Sequence, residues 1–210
     1  IRSQNSHGIV AIKDREVSDQ DIVRVLDAAQ AVAIPMDREI IHIIPQEYIV
    51  DDQGGIKDPR GMSGIRLGVR VHIVTGAVTS AQNIVKCCHK TGLNVRDLVL
   101  QPLASSEAVL TQDERELGVM LVDIGGGTTD LAIFANGAVQ HTAVLSLGGD
   151  HITKDIAIGL GAASPDAEFI KKKYGCSMRG LVQVDEALDV PGVGGRKSRV
   201  ASRRMLAEII

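Results

Sequence analysis

Aromatic residues are scarce in this 210-residue chain, which contains two tyrosines, two phenylalanines and no tryptophan. Proteins that bind single-stranded nucleic acids stack the bases on aromatic side chains, and four scattered aromatic residues are too few for such a platform. The net charge of −3 is close to neutral, so no basic excess indicates broad nucleic-acid binding. Both features argue against a nucleic-acid-binding protein.

Cysteines and long hydrophobic runs are scarce as well. Of the three cysteines, Cys87 and Cys88 are adjacent and Cys176 is distant, a spacing that suits neither a disulfide framework nor a zinc site. A reducing cytosol is therefore the simplest compartment. No apolar stretch reaches the length needed to span a bilayer, and no signal peptide opens the chain.

What remains is the composition of an ordinary folded protein. Hydrophobic residues make up 44% of the chain, and its length is ample for a core in one large domain or two small ones. The chain opens at Ile1 in strand-like sequence, without an initiating methionine, and stops at Ile210 within an apolar helical pattern. We therefore expect this sequence to be a piece of a longer protein.

The most informative segment is the octapeptide from Asp123 to Asp130, which contains three consecutive glycines. Apolar runs lead into it and out of it, and the pair Asn136-Gly137 that follows is a strong hairpin signal. The glycines are therefore predicted to join two antiparallel strands. A dinucleotide-binding fingerprint must instead leave a strand and open a helix, so this common glycine-rich motif is excluded.

Three adjacent glycines leave several backbone N–H groups without side-chain cover, in a shape suited to phosphate oxygens. The flanking carboxylates of Asp123 and Asp130 would repel bare phosphate, but they are favourable when a divalent metal ion lies between them and the phosphates. The octapeptide therefore predicts a metal–nucleotide loop. A glycine-rich hairpin with incidental carboxylates is the alternative that these residues leave open.

Along the whole chain, strand and helix patterns alternate, which predicts an α/β fold. We predict a loop over 51–64 and a charged turn over 113–116. The predicted strands cover 8–13, 39–44, 47–50, 66–74 and 98–100, with three more around the octapeptide. The predicted helices begin at Ser18, Thr79, Gln101, Gly149 and Ser164, and Ser198 is predicted to cap the last one.

Several segments in this order resemble the FtsA family of bacterial cell-division proteins. Besides the octapeptide, they are Ile43 to Tyr48, Leu103 to Ser106, Asp113 to Val119, Ile152 to Ala157, Asp166 to Glu168, Val190 to Gly195 and Leu206 to Glu208. The octapeptide alone also fits chaperone and rod-shape relatives, whereas the surrounding segments narrow the resemblance to FtsA. The resemblance implies an actin-like ATPase fold, related to ribonuclease H, with an inserted FtsA-specific interaction subdomain.

The resemblance also implies a division of the chain into four parts. The first part, 1–95, would be an SHS2-like insertion subdomain that lacks its beginning. The connecting strand and helix of the first lobe would follow over 96–116, and the phosphate-loop part of the second nucleotide lobe over 117–148. The last part, 149–210, would bind adenosine and FtsZ and would lack its end.

ATP and Mg²⁺ are the cofactors that the resemblance implies. Asp123 would hold Mg²⁺ through water. The backbone N–H groups of Gly125, Gly126 and Gly127 would bind the β- and γ-phosphates, and Thr128 would add a hydroxyl. These roles amount to positioning and charge neutralisation, as at other phosphoryl-transfer sites.

Two further residues are candidates for hydrolysis by the same resemblance. Asp130 would orient the attacking water or the metal shell. Relatives place Glu or Gln at the position of Gln101 to orient the hydrolytic water. A neutral amide positions water but is a poor base, which fits at most slow ATP hydrolysis. The alternative for Gln101 is a polar residue that merely ends a strand.

Glu168 and Lys171 are three residues apart on a predicted helix and therefore share one face. In actin-like folds a Glu and a Lys here meet the ribose hydroxyls and the adenine edge, so the resemblance makes this pair nucleotide-binding. The alternative is a solvated ion pair next to Lys172 and Lys173.

Arg196, Arg199 and Arg203 belong to a basic run that contains no acidic residue between Val190 and Ala207. In FtsA the corresponding subdomain receives the carboxyl-terminal tail of FtsZ, which contains acidic residues. A basic face that steers an acidic peptide is physically reasonable, so these arginines are candidate partner-binding residues. A solvated surface is the alternative.

The function that the resemblance implies is that of an adaptor at the division septum, peripheral on the inner face of the cytoplasmic membrane. It would bind ATP, polymerise, anchor FtsZ filaments and recruit later division proteins through residues 1–95. By the same resemblance, the first phosphate loop would precede Ile1, and the adenosine-binding Gly-Gly motif and the membrane-binding tail would follow Ile210. We therefore expect the isolated chain to bind ATP weakly or not at all, to be inactive as an ATPase and not to bind membranes. Alternatives are a sugar or acetate kinase, which would need its own substrate cleft, and an Hsp70-type chaperone, which lacks support outside the glycine loop.

Overall fold

A computed structural model of the chain describes residues 1–183, 186–195 and 197–210. These residues alternate strands and helices, as predicted, and fall into two compact units. The first unit comprises Ile1–Asp123 and Asp130–Val144. The second comprises Ile124–Thr129 and Leu145–Ile210. The glycine turn therefore belongs to the second unit, whereas the two aspartates that flank it belong to the first.

The first unit contains a four-stranded antiparallel sheet in the order β1-β4-β2-β3. Its strands are β1 (Arg2–Ala11), β2 (Arg38–Val50), β3 (Gln53–Ile56) and β4 (Arg66–Ala77). Helix α1 (Asp19–Gln30) packs on β1 and β4. The core includes Val25 of α1 with Leu67, Val69, Val71 and Ile73 of β4, all of them buried.

The entry of α1 is fixed by side chains of its first turn. The N-cap is Ser18, as predicted, and Asp21 completes a capping box in which its carboxylate accepts hydrogen bonds from the Ser18 backbone N–H at 3.0 Å and hydroxyl at 2.6 Å. Helix and strand then approach so closely that a Cβ on Gly8 of β1 would lie 2.3 Å from the carbonyl oxygen of Val25. Only glycine is compatible with that distance.

Two predictions for this sheet were wrong. The segment that we predicted as two strands on either side of Pro45 is the single strand β2, because the pairing with β4 shifts register between Pro45 and Glu47. A proline lacks the N–H of a regular ladder and is tolerated at such a bulge. The predicted loop over 51–64 contains the short strand β3, which pairs with the end of β2.

Helix α2 (Val78–Lys90) follows β4 directly, with Ala77 at its N-cap and no side-chain cap. The predicted cap at Thr79 was wrong, because the strand runs on to the residue before the helix and leaves Thr79 inside the first turn. The helix ends before Gly92, which adopts a φ of +80°.

The prediction of a strand over 98–100 was also wrong, because this segment pairs with no strand among the described residues. Instead, the backbone N–H of Leu100 donates to His42 Nε2 at 2.9 Å. Helix α3 (Gln101–Val109) begins where we predicted, with proline in its first turn. The predicted charged turn over 113–116 is the helix α4 (Gln112–Leu117), which a Thr111–Glu114 capping box begins.

Three consecutive strands surround the octapeptide, as predicted: β5 (Val119–Ile124), β6 (Thr129–Ala135) and β7 (Ala138–Leu145), in the order β5-β6-β7. The turn between β6 and β7 has φ values of 53° at Asn136 and 74° at Gly137. Positive φ at both central residues is the geometry that an Asn-Gly hairpin favours.

The second unit is mainly helical. Its elements are α5 (Gly149–Gly159), α6 (Ser164–Tyr174), a 3₁₀ turn (Arg179–Leu181), β8 (Ala187–Val190), β9 (Arg199–Ser202) and α7 (Arg203–Ile209). Its core includes the buried side chains of Ile156, Leu160, Ile170, Leu188 and Leu206. None of the helices in the described ranges is long and apolar enough to cross a bilayer.

The predicted cap at Ser198 was wrong. Residues 199–202 form β9, which pairs antiparallel with β8 through partners such as Leu188 and Ala201. The last helix therefore starts later, with Ser202 as its N-cap, whose hydroxyl accepts from the Arg204 backbone N–H at 3.2 Å.

Candidate functional site

The glycine turn between β5 and β6 is closed by its own backbone. The N–H of Gly125 donates to the carbonyl of Thr128 at 2.8 Å. Gly126, Gly127 and Thr128 are exposed, and a Cβ placed on Gly127 would meet nothing within 4 Å. The turn therefore presents backbone to solvent at Gly126 and Gly127, whereas the N–H of Gly125 is used inside it.

The start of α5 holds this turn in place. The N–H of Gly149 donates to the Gly125 carbonyl at 2.9 Å, and the N–H of Asp150 donates to the Gly126 carbonyl at 2.8 Å. A Cβ on Gly148 would lie 2.4 Å from the Gly126 carbonyl oxygen, so the residue before the helix must be glycine for the turn to dock. N–H groups of the first helical turn, which lack partners within a helix, thus fix the carbonyls of the glycine turn.

Glu168 and Lys171 of α6 meet as predicted and connect to the same helix start. The Lys171 ammonium lies 2.6 Å from the Glu168 carboxylate and donates to the Gly149 carbonyl at 2.9 Å and to the Thr153 hydroxyl at 2.8 Å. The Thr153 hydroxyl in turn donates to the Glu168 carboxylate. The turn, the first turn of α5 and the Glu168–Lys171 pair therefore form one continuous polar network in the second unit.

The charges of this network stabilise the ionised form of Glu168. The hydrogen bond from Lys171 is the main cause, followed by the one from Thr153, and together they lower the Glu168 pKa to about 2. The Glu168 side chain nevertheless remains 33% exposed and the Lys171 side chain 20% exposed. An ionised carboxylate at the surface can accept hydrogen bonds from hydroxyl groups of a ligand such as ribose.

In the first unit, Asp123 lies at the end of β5 beside the first turns of α3. Its Oδ2 accepts hydrogen bonds from Gln101 Nε2 at 3.0 Å and from the Ser105 hydroxyl at 2.7 Å. Oδ1 is engaged by neither donor. The predicted metal residue and the predicted water-orienting residue are therefore in direct contact.

Asp130 lies on β6 of the first unit and is only 7% exposed. It lines a small cavity together with Leu100, Pro102 and Thr142. In the ranges that the structure describes, no three His, Cys, Asp or Glu side chains are grouped as a metal cage.

Two of the three predicted partner-binding arginines are engaged within the second unit. Arg199 donates to the carbonyl of Leu160 at 2.5 Å. Arg203 donates to the carbonyl of Tyr174 at 2.9 Å and forms an ion pair with Glu186. Arg196 lies outside the described residues. The hydrogen bond from Arg203 is the main cause that lowers the pKa of Glu186.

Sequence reasoning assigned no role to two residues that the structure places in these groups: Ser105 and Thr153. Ser105 lies four residues after Gln101 on α3, and Thr153 lies four residues after Gly149 on α5. The helical spacing of four therefore was the signal that could have found them. For Gly148, the glycine pair before a predicted helix indicated a sharp turn but not the close backbone approach.

Comparison with family models matches two segments of the chain. Residues 1–75 match the model described as the SHS2 domain inserted in FTSA, and residues 120–207 match the model described as cell division protein FtsA. The first segment contains β1, β2, β3 and most of β4, and the second contains the glycine turn.

Curated relatives match along the whole chain. Cell division protein FtsA of Pseudomonas aeruginosa is 55% identical over 210 residues, which is 100% of this chain and 50% of the relative. The FtsA protein of Neisseria meningitidis serogroup B is 50% identical, over 100% of this chain and 51% of the relative. The FtsA protein of Escherichia coli K12 is 46% identical, over 100% of this chain and 50% of the relative. The chain thus spans about half the length of the curated relatives it matches.

Two solved structures share the fold. The PilM–PilN type IV pilus biogenesis complex aligns with a TM-score of 0.56 and 18% identity, over 82% of this chain and 48% of that chain. MreB 5 of Spiroplasma citri bound to AMPPNP aligns with a TM-score of 0.51 and 21% identity, over 64% of this chain and 43% of the MreB 5 chain. The predicted actin-like ATPase fold with its inserted SHS2 domain is therefore confirmed.

Proposed function

The chain belongs to the FtsA family of cell-division proteins, and from this premise we propose that it forms part of an ATP-binding, actin-like adaptor of the division machinery. One observation carries the proposal: the continuous network from the glycine turn through the start of α5 to Glu168 and Lys171. The family membership favours this function over the kinase and chaperone alternatives.

In this proposal the second unit binds the nucleotide. The exposed backbone of Gly126 and Gly127, with Thr128, contacts the phosphates, and Gly125 shapes the turn through its internal hydrogen bond. Glu168 and Lys171 contact the ribose and adenine. Support comes from the shared fold with MreB 5, a protein whose structure contains AMPPNP.

Asp123, Gln101 and Asp130 are the residues proposed for the metal ion and for water. Asp123 would bind Mg²⁺ through water molecules, and its half-buried carboxylate fits this role because one oxygen is fixed by two donors. When bound, Mg²⁺ neutralises phosphate charge. Gln101 would orient the hydrolytic water, and Asp130 the water or the metal shell. The amide of Gln101 supports at most slow ATP hydrolysis.

The proposed partners follow from the family. They are the FtsZ carboxyl-terminal tail near Arg196, Arg199 and Arg203, further copies of the protein in a filament, and later division proteins at residues 1–95. The place of action is the inner face of the cell membrane at the septum, where the protein is peripheral. The intramolecular bonds of Arg199 and Arg203 suggest that these two residues shape the proposed FtsZ surface as well as attracting acidic groups.

The test is ATP binding by the full-length gene product in the presence of Mg²⁺. We expect micromolar affinity, as is common for nucleotide sites, and a loss of about 100-fold in Asp123→Ala and in Gly126→Val. A side chain at Gly126 would approach the Asp150 carboxylate, from which its Cβ would lie 3.2 Å.

Matched controls separate the site from general damage. Gly180→Val makes the same chemical change in the second unit at a glycine whose Cβ would meet nothing within 4 Å. Asp113→Ala removes an exposed carboxylate from α4 in the first unit. Both controls should bind ATP like the wild type. Unchanged affinity in Asp123→Ala and Gly126→Val would show that the octapeptide is only a hairpin turn.

A further inference from the structure

Ser105 is the donor that lies nearest to Asp123. Its hydroxyl is 2.7 Å from Asp123 Oδ2, closer than Gln101 Nε2 at 3.0 Å. Gln101 and Ser105 lie one helical turn apart on α3 and therefore reach the same carboxylate oxygen from the same face of the helix. The other oxygen, Oδ1, is engaged by neither, so the carboxylate is oriented and still has an acceptor to offer.

We propose that Ser105 is a positioning residue that fixes the Asp123 carboxylate for a hydrated Mg²⁺ ion. The inference rests on the proposed function, in which Asp123 holds the metal. A carboxylate that is already ordered loses less rotational freedom when it binds, and hydrogen-bond partners of metal-binding carboxylates commonly set metal affinity.

The division of labour between the two donors follows from their chemistry. In the proposed function Gln101 orients the hydrolytic water, for which its amide has a second N–H and a carbonyl oxygen besides the N–H that it donates to Asp123. The Ser105 hydroxyl has a single proton, which it donates to Oδ2. Ser105 is also half-buried on the rigid helix α3, whereas Gln101 is an exposed residue at the start of this helix.

The neighbouring residue provides a matched control. Ser106 is next on the same helix, but its hydroxyl donates to the Leu103 carbonyl at 2.7 Å and does not reach Asp123. Ser106→Ala therefore removes an identical group from α3 and leaves the carboxylate untouched. Ser105→Thr keeps a hydroxyl at the proposed position and should restore the wild-type behaviour.

The experiment measures the affinity of the full-length gene product for a fluorescent ATP analogue, first in EDTA and then over a titration of free Mg²⁺. For Ser105→Ala we expect the free Mg²⁺ concentration that gives half of the Mg²⁺-dependent change in nucleotide affinity to rise about 10-fold. The nucleotide affinity in EDTA should be unchanged. Ser105→Thr and Ser106→Ala should follow the wild-type titration. Thermal unfolding of each variant in EDTA reports general damage independently of the metal.

Each other outcome overturns the inference in a recognisable way. A wild-type protein that binds no nucleotide with or without Mg²⁺ removes the proposed function, and the role of Ser105 with it. A wild-type protein that binds normally beside a Ser105→Ala variant with an unchanged Mg²⁺ titration removes only the role of Ser105. Equal shifts in Ser105→Ala and Ser106→Ala, or a loss of affinity already in EDTA, would mean that the hydroxyl acts through the stability of α3.

Discussion

The junction of β1 and α1 and the junction of the glycine turn and α5 use the same two devices for different ends. Each contains a glycine that admits a close backbone approach, Gly8 in the first unit and Gly148 in the second. A carboxylate with a pKa lowered to about 2 accompanies each junction: Asp21 lies on α1 itself, and Glu168 of α6 accepts a hydrogen bond from Thr153 of α5.

The surroundings distinguish the two junctions. Asp21 is 3% exposed, and the Ser18 hydroxyl is the main cause of its lowered pKa, so its oxygens are occupied by the capping box and by Arg24. Glu168 remains 33% exposed and pairs with Lys171 next to an open backbone turn. A lowered pKa and an obligatory glycine therefore occur at both junctions, and the exposure of the polar groups is the feature that distinguishes the junction that we propose as a ligand site.

The largest effects are expected from alanine at the two glycines. A Cβ at Gly148 would lie 2.4 Å from the Gly126 carbonyl, and a Cβ at Gly8 would lie 2.3 Å from the Val25 carbonyl. Each substitution should lower the free energy of unfolding by about 2 kcal/mol, because backbone must move to admit the methyl group. Only Gly148→Ala should also weaken ATP binding, by about 100-fold, because the glycine turn would no longer dock against the start of α5.

Urea unfolding and ATP titration of the full-length gene product measure both quantities. Gly180→Ala is the control, because its Cβ would meet nothing within 4 Å. Equal losses of ATP affinity in Gly8→Ala and Gly148→Ala would remove the distinction between the two junctions.

An intermediate effect is expected from neutralising the two carboxylates. Asp21→Asn breaks a capping box and should cost about 1 kcal/mol of stability with no change in ATP affinity. Glu168→Gln should leave stability nearly unchanged, because the side chain is partly exposed and surface ion pairs contribute little. Its ATP affinity should fall about 10-fold, because the change removes the charged acceptor that we propose for the ribose.

Chemical unfolding at neutral pH and calorimetric ATP titration distinguish these two results. Asp155→Asn, an exposed change on α5, serves as the control for Glu168→Gln. The reverse pattern, in which Asp21→Asn weakens ATP binding and Glu168→Gln only destabilises the fold, would contradict the proposed ligand site at Glu168.

The smallest effect concerns the pH dependence of stability. Both carboxylates have folded-state pKa values of about 2, below the ordinary values of 3.8 for Asp and 4.5 for Glu. The unfolded state therefore binds more protons in acid, so the stabilisation is complete above about pH 5 and is lost as the pH falls toward 2.

In acid titrations of stability, Asp21→Asn should show a clearly shallower loss between pH 5 and 2 than the wild type. Glu168→Gln should show a smaller change, since solvent screens its partly exposed ion pair. A larger change in Glu168→Gln than in Asp21→Asn would mean that Glu168 serves mainly to stabilise the fold.

Local signals made much of this fold predictable. The Ser18 cap, the Asn136-Gly137 hairpin and the starts of α5 and α6 each depend on residues within one turn, and all four were predicted correctly. The actin-like fold itself was predicted from the resemblance of whole segments to a family and not from periodicity.

The errors arose where structure depends on distant partners. The strand predicted over 98–100 pairs with no strand among the described residues, and the cap predicted at Ser198 failed because β9 pairs with β8. Ser105 and Thr153 were missed for the same reason. The helical spacing of four places each residue on the correct helix face, but their hydrogen bonds to Asp123 and Glu168 join residues 18 and 15 positions apart, so this spacing does not identify the partners.

The most direct test of the central claim is a crystal structure of the full-length gene product with a non-hydrolysable ATP analogue and Mg²⁺. We predict phosphate oxygens within about 3 Å of the backbone N–H groups of Gly126 and Gly127, the ribose at Glu168, and Mg²⁺ linked to Asp123 through water. A nucleotide bound elsewhere, with the glycine turn still open to solvent, would contradict this account.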